Sequence, residues 1–189
     1  MRLIIAITGA SGVIYGIRTL EVLKNLKIDT HLIITEWGGK NIQIETNTTT
    51  DYVKSLATRY YEEDNMAASV SSGSFKVDGM IVIPCSTKTL ASISNALDDS
   101  LVSRAASVCI KEQRKLVLVP RETPLSKIHL KNMTKLASAN AIILPAMPGF
   151  YHRPKTMDDL INHLVGKVLD QFNIDHNLFK RWSERQQRK

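Results

Sequence analysis

The sequence predicts a three-layer, doubly wound α/β fold with a parallel sheet at its centre. Three observations lead there. Short runs that are apolar throughout and rich in Ile, Val and Leu recur along the chain, which is how a strand reads when both of its faces are covered. Amphipathic helical stretches lie between these runs, and alternating strand and helix imposes parallel pairing with helices on both faces. The strand ends run into turns built from Gly, Ser, Thr and Pro, the residues that break regular structure.

The first strand is residues 3–7, LIIAI. It is too short for the apolar region of a signal peptide, which needs about 7–15 residues, and it enters the turn Thr8-Gly9-Ala10-Ser11-Gly12. The second strand, 31–34, ends at Thr35. Residues 45–75 are the least regular part: 51–61 has helical character and 69–74 is a Ser/Gly loop. The third strand, 80–83, leads into Pro84-Cys85-Ser86-Thr87-Lys88-Thr89. The fourth, 116–119, ends at Pro120-Arg121-Glu122. A helix over 125–139 follows, with Thr123 as its cap and Pro124 at its first position. The fifth strand, 141–144, ends at Pro145-Ala146-Met147-Pro148-Gly149-Phe150-Tyr151. The last helix, 157–172, places Leu160, Ile161, Leu164, Val165, Val168 and Leu169 on one face. Thr156 is its N-cap, and Asp158 and Asp159 sit in its first turn, where the helix dipole favours acids.

The 189 residues form one domain, 1–189, by length. The formal charge is +7, and a basic tail from about residue 177 carries much of it. Lys180, Arg181, Arg185, Arg188 and Lys189 face one acid, Glu184, over the last ten residues. No basic patch interleaved with aromatics appears elsewhere, so nucleic acid is not an expected partner. No run approaches the ~20 apolar residues that span a bilayer, and two cysteines make no disulfide framework, so a cytoplasmic protein is expected. The histidines and cysteines show no metal-ligand spacing, and no metal is expected.

In open parallel sheets, ligands bind beyond the carboxyl ends of the strands. Here three hydroxyl-rich turns feed helix starts on that edge, whose free N–H groups and positive dipole end hold phosphate. Lys88 and Arg121 add cations. For one such turn, helix capping explains the Ser and Thr; for several on one edge, a phosphorylated ligand does. A polar stripe of Ser100, Arg104, Ser107 and Lys111 reads as a solvated face or as one turned to an anion. Lys167 and His163 read as the exposed face of their helix. Cys85 is placed as a nucleophile or, more commonly, as small buried packing. Glu45 and Glu122 are the acids best placed to move protons, Glu122 with an ion pair to Arg121 as the structural alternative.

Thr8-Gly9-Ala10-Ser11-Gly12, Pro84-Cys85-Ser86-Thr87, Val119-Pro120-Arg121-Glu122-Thr123-Pro124, Ile128-His129-Leu130-Lys131-Asn132-Met133 and Pro145-Ala146-Met147-Pro148-Gly149-Phe150-Tyr151 follow one another along nearly the whole chain. Together, and in this order, they resemble the motifs of the UbiX-like flavin prenyltransferases. The resemblance implies a flavodoxin-like Rossmann fold. It implies a metal-independent prenyltransferase that moves a dimethylallyl group from dimethylallyl phosphate to N5 and C6 of reduced FMN, making prenylated FMN for a UbiD-like decarboxylase. It also implies a homododecamer with sites shared between subunits. Carried over by residue, it assigns FMN contacts to Gly9, Ala10, Ser11, Thr35, Ser86, Thr87, Lys88, Thr89 and Arg121. Donor-phosphate contacts fall to Tyr151 and Lys167, with Lys111 and Arg121 beside them. Ser11, Glu45, Lys111 and Glu122 carry the chemistry, and Trp182 lies near the site. Two further classes stay in view: an FMN-dependent cysteine decarboxylase, whose Asn-containing segment is here Pro145-Ala146-Met147-Pro148, and a non-enzymatic FMN carrier.

Overall fold

The computed structural model describes residues 1–182; the last seven residues of the basic tail lie outside the described residues. The chain divides into two compact units, one of residues 1–145 and a second beginning at Ala146.

The first unit holds a six-stranded sheet whose adjacent strands are parallel, in the order β3-β2-β1-β4-β5-β6. In chain order its elements are β1 (Arg2–Ile7), α1 (Val13–Asn25), β2 (Asp29–Ile34), α2 (Glu36–Glu45), α3 (Thr50–Leu56) and β3 (Arg59–Glu62), followed by β4 (Gly79–Cys85), α4 (Thr87–Ser94), α5 (Leu101–Lys111), β5 (Lys115–Pro120), α6 (Lys127–Ser138) and β6 (Ile142–Ile143). The order reverses between β1 and β4. Right-handed crossovers therefore send α1–α3 to one face and α4–α6 to the other, and each set packs within itself.

The strands predicted as continuously apolar are the buried ones. On β1, Ile4 and Ala6 join the core under α4 and α5, while Leu3, Ile5 and Ile7 are equally buried on the opposite side. Two-sided burial removes the polar alternation that a half-exposed strand would show. The core on the α4–α5 side continues through Met80, Val82, Leu116, Leu118, Leu101 and Cys109.

Four expectations need correction. Residues 51–61 are not one helix: α3 ends at Leu56 and the chain turns into the edge strand β3. That strand is polar, Arg-Tyr-Tyr-Glu, with only Tyr61 buried, so it lacks the apolar run that marks its neighbours. The helix expected over 125–139 begins at Lys127 with Ser126 as its cap; Thr123 and Pro124 precede it, joined by a cis peptide bond. The fifth strand shortens to two residues at the sheet edge. The stripe on α5 is neither solvated nor turned to an anion along its length. Arg104 and Ser107 both bond the Asp98 carboxylate, at 2.9 and 2.6 Å, and Arg104 Nε donates to the Ser71 carbonyl.

The second unit contains α7 (Met157–Asp170), with Thr156 capping the Asp159 amide and Asp158 and Asp159 in the first turn, as expected. Behind it, Arg181 forks onto the Asp170 carboxylate at 2.7 and 3.1 Å, and His176 Nε2 lies 3.0 Å from the Gly166 carbonyl. Gly166 makes room for this fold-back: a Cβ there would meet Phe179 and His176 at 2.5–2.6 Å.

Candidate active site

At the switch between β1 and β4, the carboxyl strand ends border a cleft of about 270 Å³ lined by Gly9, Thr35, Trp37, Ser86, Thr87, Lys88, Thr89 and Ser103, among others. The structure thus brings together six of the predicted flavin contacts. Ala10 and Ser11 continue the Gly9 turn, Ala10 buried and Ser11 exposed. Trp37 was not foreseen. Its Cβ lies where a side chain on Gly9 would have to go, 2.6 Å away, so Gly9 admits the tryptophan to the cleft wall.

The gap between the two sides is set by Thr8, which is fully buried. Its hydroxyl donates to the Pro84 carbonyl at 2.8 Å and accepts from the Ser86 amide at 2.8 Å. One side chain therefore ties the end of β1 to the end of β4 and to the cap of α4.

Three helix starts, those of α2, α4 and α5, line the cleft, that of α1 follows the Gly9 turn, and the four are not equivalent. The α1 start has Gly12 at φ 97°, with no side chain to cap it. Instead Glu45, the last residue of α2, accepts from the Gly12 and Val13 amides at 2.8 and 3.3 Å. The α2 start is capped by Thr35, and its Glu36 amide donates to the Glu63 carboxylate at 2.9 Å. The α5 start closes on itself through the Ser100–Ser103 capping box, with Asp99 on Ser103. At α4, Ser86 caps the Thr89 amide, and the Thr87 and Lys88 amides have no intrahelical partner by position. Among the described residues no carboxylate engages them. At the far end of the Gly9–Gly12 turn a carboxylate already holds the amides, whereas an anion finds open donors at α4.

Arg121 follows β5, and its Nε is buried with no hydrogen-bond partner among the described residues. A buried guanidinium N–H left unpaired costs free energy unless a ligand takes it, which suits a group binding there. Its neighbour Glu122 is exposed and accepts from the Thr123 amide at 3.0 Å. No ion pair joins Glu122 to Arg121 among the described residues, so the pairing considered from sequence is not formed. Lys111 is not on this edge. The start of α5 lines the cleft, and Lys111 ends that 11-residue helix, roughly 16 Å further on at 1.5 Å per residue; it pairs there with Glu112.

Cys85 and Cys109 are buried thiols. Burial raises Cys85 to about 12 and Cys109 to about 11, so neither supplies a thiolate nucleophile. Among the described residues, no group of three or more His, Cys, Asp or Glu converges as for a metal ion.

In the second unit, Tyr151 lies in the loop before α7 and Lys167 on α7. The expectation of an exposed His163 is overturned: its ring is 5% exposed. Its Nδ1 accepts from the Gly149 amide at 3.2 Å, and its Nε2 lies 3.0 Å from the Tyr151 hydroxyl. Trp182 meets Tyr151 edge to face, with centroids 5.8 Å apart.

The open helix start and the hydroxyl-lined switch point fit the phosphate of a bound ligand. The flavoprotein family model matches residues 1–169. The chain is 51% identical over 181 residues to the mitochondrial flavin prenyltransferase PAD1 of Saccharomyces cerevisiae, covering 96% of this chain and 75% of that protein. It is 47% identical to the solved AnUbiX (PadA1) in complex with FMN and dimethylallyl pyrophosphate, with a TM-score of 0.95 over 96% of this chain and 97% of the other. It is equally identical, at the same TM-score and over 97% and 100% of the two chains, to a dodecameric FMN-dependent UbiX-like decarboxylase from Escherichia coli O157:H7. The chain belongs to the flavoprotein family and, within it, to the UbiX-like flavin prenyltransferases.

Proposed function

We propose that this chain transfers a dimethylallyl group from dimethylallyl phosphate to N5 and C6 of reduced FMN, and that the prenylated FMN passes to a UbiD-like decarboxylase. The observation that carries the placement is the α4 start: two helix amides, the Thr87 hydroxyl and the Lys88 ammonium face the cleft without a carboxylate of their own. Negative charge belongs at such an end. In this reading the FMN phosphate sits at Ser86–Thr89, with Gly9, Ala10, Ser11 and Thr35 along the flavin. Arg121 spends its unpaired Nε on the bound ligand.

The reduced flavin, when bound, supplies the nucleophilic atoms. This chain's part is to hold the two reactants in contact, which makes the attack effectively unimolecular, and to stabilise the charge that grows on the leaving phosphate. By resemblance to the family, Tyr151 and Lys167 take that phosphate. Glu122, exposed beside Arg121, delivers or removes a proton, and Ser11 and Glu45 act on the flavin side. Lys111 reaches a site only from another copy of the chain, which the shared sites of a homododecamer would supply. No described helix is long and apolar enough to cross a membrane. We place the protein in the cytoplasm, where its two unpaired thiols stay reduced; the mitochondrial address belongs to the yeast relative.

The test is anaerobic incubation with reduced FMN and, in parallel, dimethylallyl monophosphate or diphosphate, followed by mass spectrometry of the flavin. The flavin is expected to gain one C5H8 unit with at least one donor. An unmodified flavin with both donors, from protein that binds FMN, overturns the reading in favour of an FMN carrier.

A further inference from the structure

We propose that His163 is a positioning residue that sets the direction of the Tyr151 hydroxyl proton, so that Tyr151 donates its O–H to the phosphate of the prenyl donor. The inference rests on the assignment of Tyr151 to that phosphate and adds the group that orients it.

The argument is one of donors and acceptors. A main-chain amide can only donate, so the Gly149 N–H, 3.2 Å from His163 Nδ1, requires that nitrogen to be bare. The single proton of the neutral ring then sits on Nε2. Nε2 is 3.0 Å from the Tyr151 oxygen, which must therefore accept. A phenol has one hydrogen, and with its oxygen accepting from His163 that hydrogen points elsewhere. Among the described residues it meets no acceptor, and Tyr151 is 42% exposed. The hydroxyl is left as an outward donor, which is what a phosphate oxygen needs.

The surroundings hold this arrangement. His152 stacks on His163 with centroids 4.8 Å apart and planes 3° from parallel, and Phe179 covers the ring from 4.8 Å. Tyr151 meets His152, His163 and Trp182 edge to face. Gly149 allows the close approach: a Cβ there would lie 3.1–3.3 Å from both rings. Burial, with His152 and Lys167 nearby, pushes the His163 pKa down and keeps the ring neutral. Lys167 stands one turn beyond His163 on α7, so both project from one side of the helix. Its ammonium is 3.8 Å from an Asp170 carboxylate that Arg181 already holds at 2.7 Å, which leaves the lysine free to turn to an anion.

The test uses Tyr151→Phe, His163→Phe, His163→Gln and the Tyr151/His163 double Phe variant in the FMN-loaded protein. It measures kcat and the KM for dimethylallyl phosphate, with FMN affinity alongside. Tyr151→Phe is expected to raise KM about 10-fold or more, the range for a hydrogen bond to a charged group. His163→Phe keeps a stacked ring but no donor and should raise KM several-fold without changing FMN affinity. His163→Gln, whose amide can reach the Nε2 position, should recover most of that loss. The double variant should match Tyr151→Phe, because without the hydroxyl there is nothing to orient. Additive losses, or an unchanged KM in His163→Phe beside a raised KM in Tyr151→Phe, overturn the role of His163 alone. An unchanged KM in Tyr151→Phe overturns the donor-phosphate assignment and this inference with it. Should the Phe variants not fold, the ¹⁵N shifts of His163 in the parent protein decide: an Nε2–H ring supports the proposal, and an Nδ1–H ring refutes it.

Discussion

Replacing Glu45 separates two roles that one carboxylate is asked to fill. In the structure it is the cap of a helix it does not belong to: Gly12 brings no side chain to the α1 start, and Glu45 accepts from the Gly12 and Val13 amides at 2.8 and 3.3 Å. Loss of an N-cap costs about 0.5–2 kcal/mol, and a carboxylate at a helix start adds about 0.3–1 kcal/mol through the dipole. The second bond is long and Glu45 is exposed, so water replaces part of what is lost. Glu45→Ala should then cost about 1 kcal/mol, which for a chain of this size lowers Tm by about 2–4 °C. Glu45→Gln keeps an oxygen for the Gly12 amide and loses only the charge, so its Tm should fall by less than half as much. If Glu45 also moves a proton, the Gln variant behaves in the opposite way in turnover, slowing by about 10²–10⁴ while melting nearest to the parent. Melting curves and single-turnover assays on both variants check this. A Glu45→Ala protein that melts with the parent refutes the capping argument. A Glu45→Gln protein that turns over at the parent rate leaves the carboxylate as a cap and nothing more.

Three further outcomes are expected. Thr8→Val keeps the shape of the side chain but strands the Ser86 amide, while the Pro84 carbonyl keeps only the Thr8 main-chain amide at 3.3 Å; at about 1–3 kcal/mol for one buried unsatisfied group, Tm should fall by about 2 °C or more and FMN should bind more weakly, and a parent-like melt and affinity would show that the strut is dispensable. Neither Cys85 nor Cys109, held at about 12 and about 11 by burial, should react with a water-soluble maleimide until the protein is denatured; prompt labelling of native protein would contradict their placement. His31 is buried against Tyr61, its Nδ1 2.8 Å from the phenol, and burial depresses its pKa despite Asp29 nearby. As pH falls the unfolded chain therefore takes up this proton first, so the stability that His31 contributes is complete above about pH 6.5 and is lost as pH falls through its lowered folded value. Denaturant titrations of parent and His31→Gln should show a shallower acid decline in the variant, and identical slopes would assign that decline to other groups.

Local chemistry made much of this protein readable before folding. Continuous apolar runs marked the strands buried on both faces, because each residue there must be apolar whichever way it points. The hydroxyl cap at Thr156 was legible because a cap acts on an amide three residues away. The edge strand β3 was not, since one exposed face makes its four residues polar. What the tertiary structure decided lies in contacts that join distant parts of the chain. Glu45 reaches an amide 33 residues back, Glu63 one 27 residues back, and Thr8 a carbonyl 76 residues ahead. These long-range bonds determine which helix starts are spent on carboxylates and which remain open to an anion. Lys111 and His163 make the same point in opposite directions. Both sit at spacings that read as an exposed polar face, yet helix direction carries one to the far end of α5, and an aromatic cage buries the other beneath Tyr151. Spacing along a helix says which side chains share a side; only packing says what that side meets.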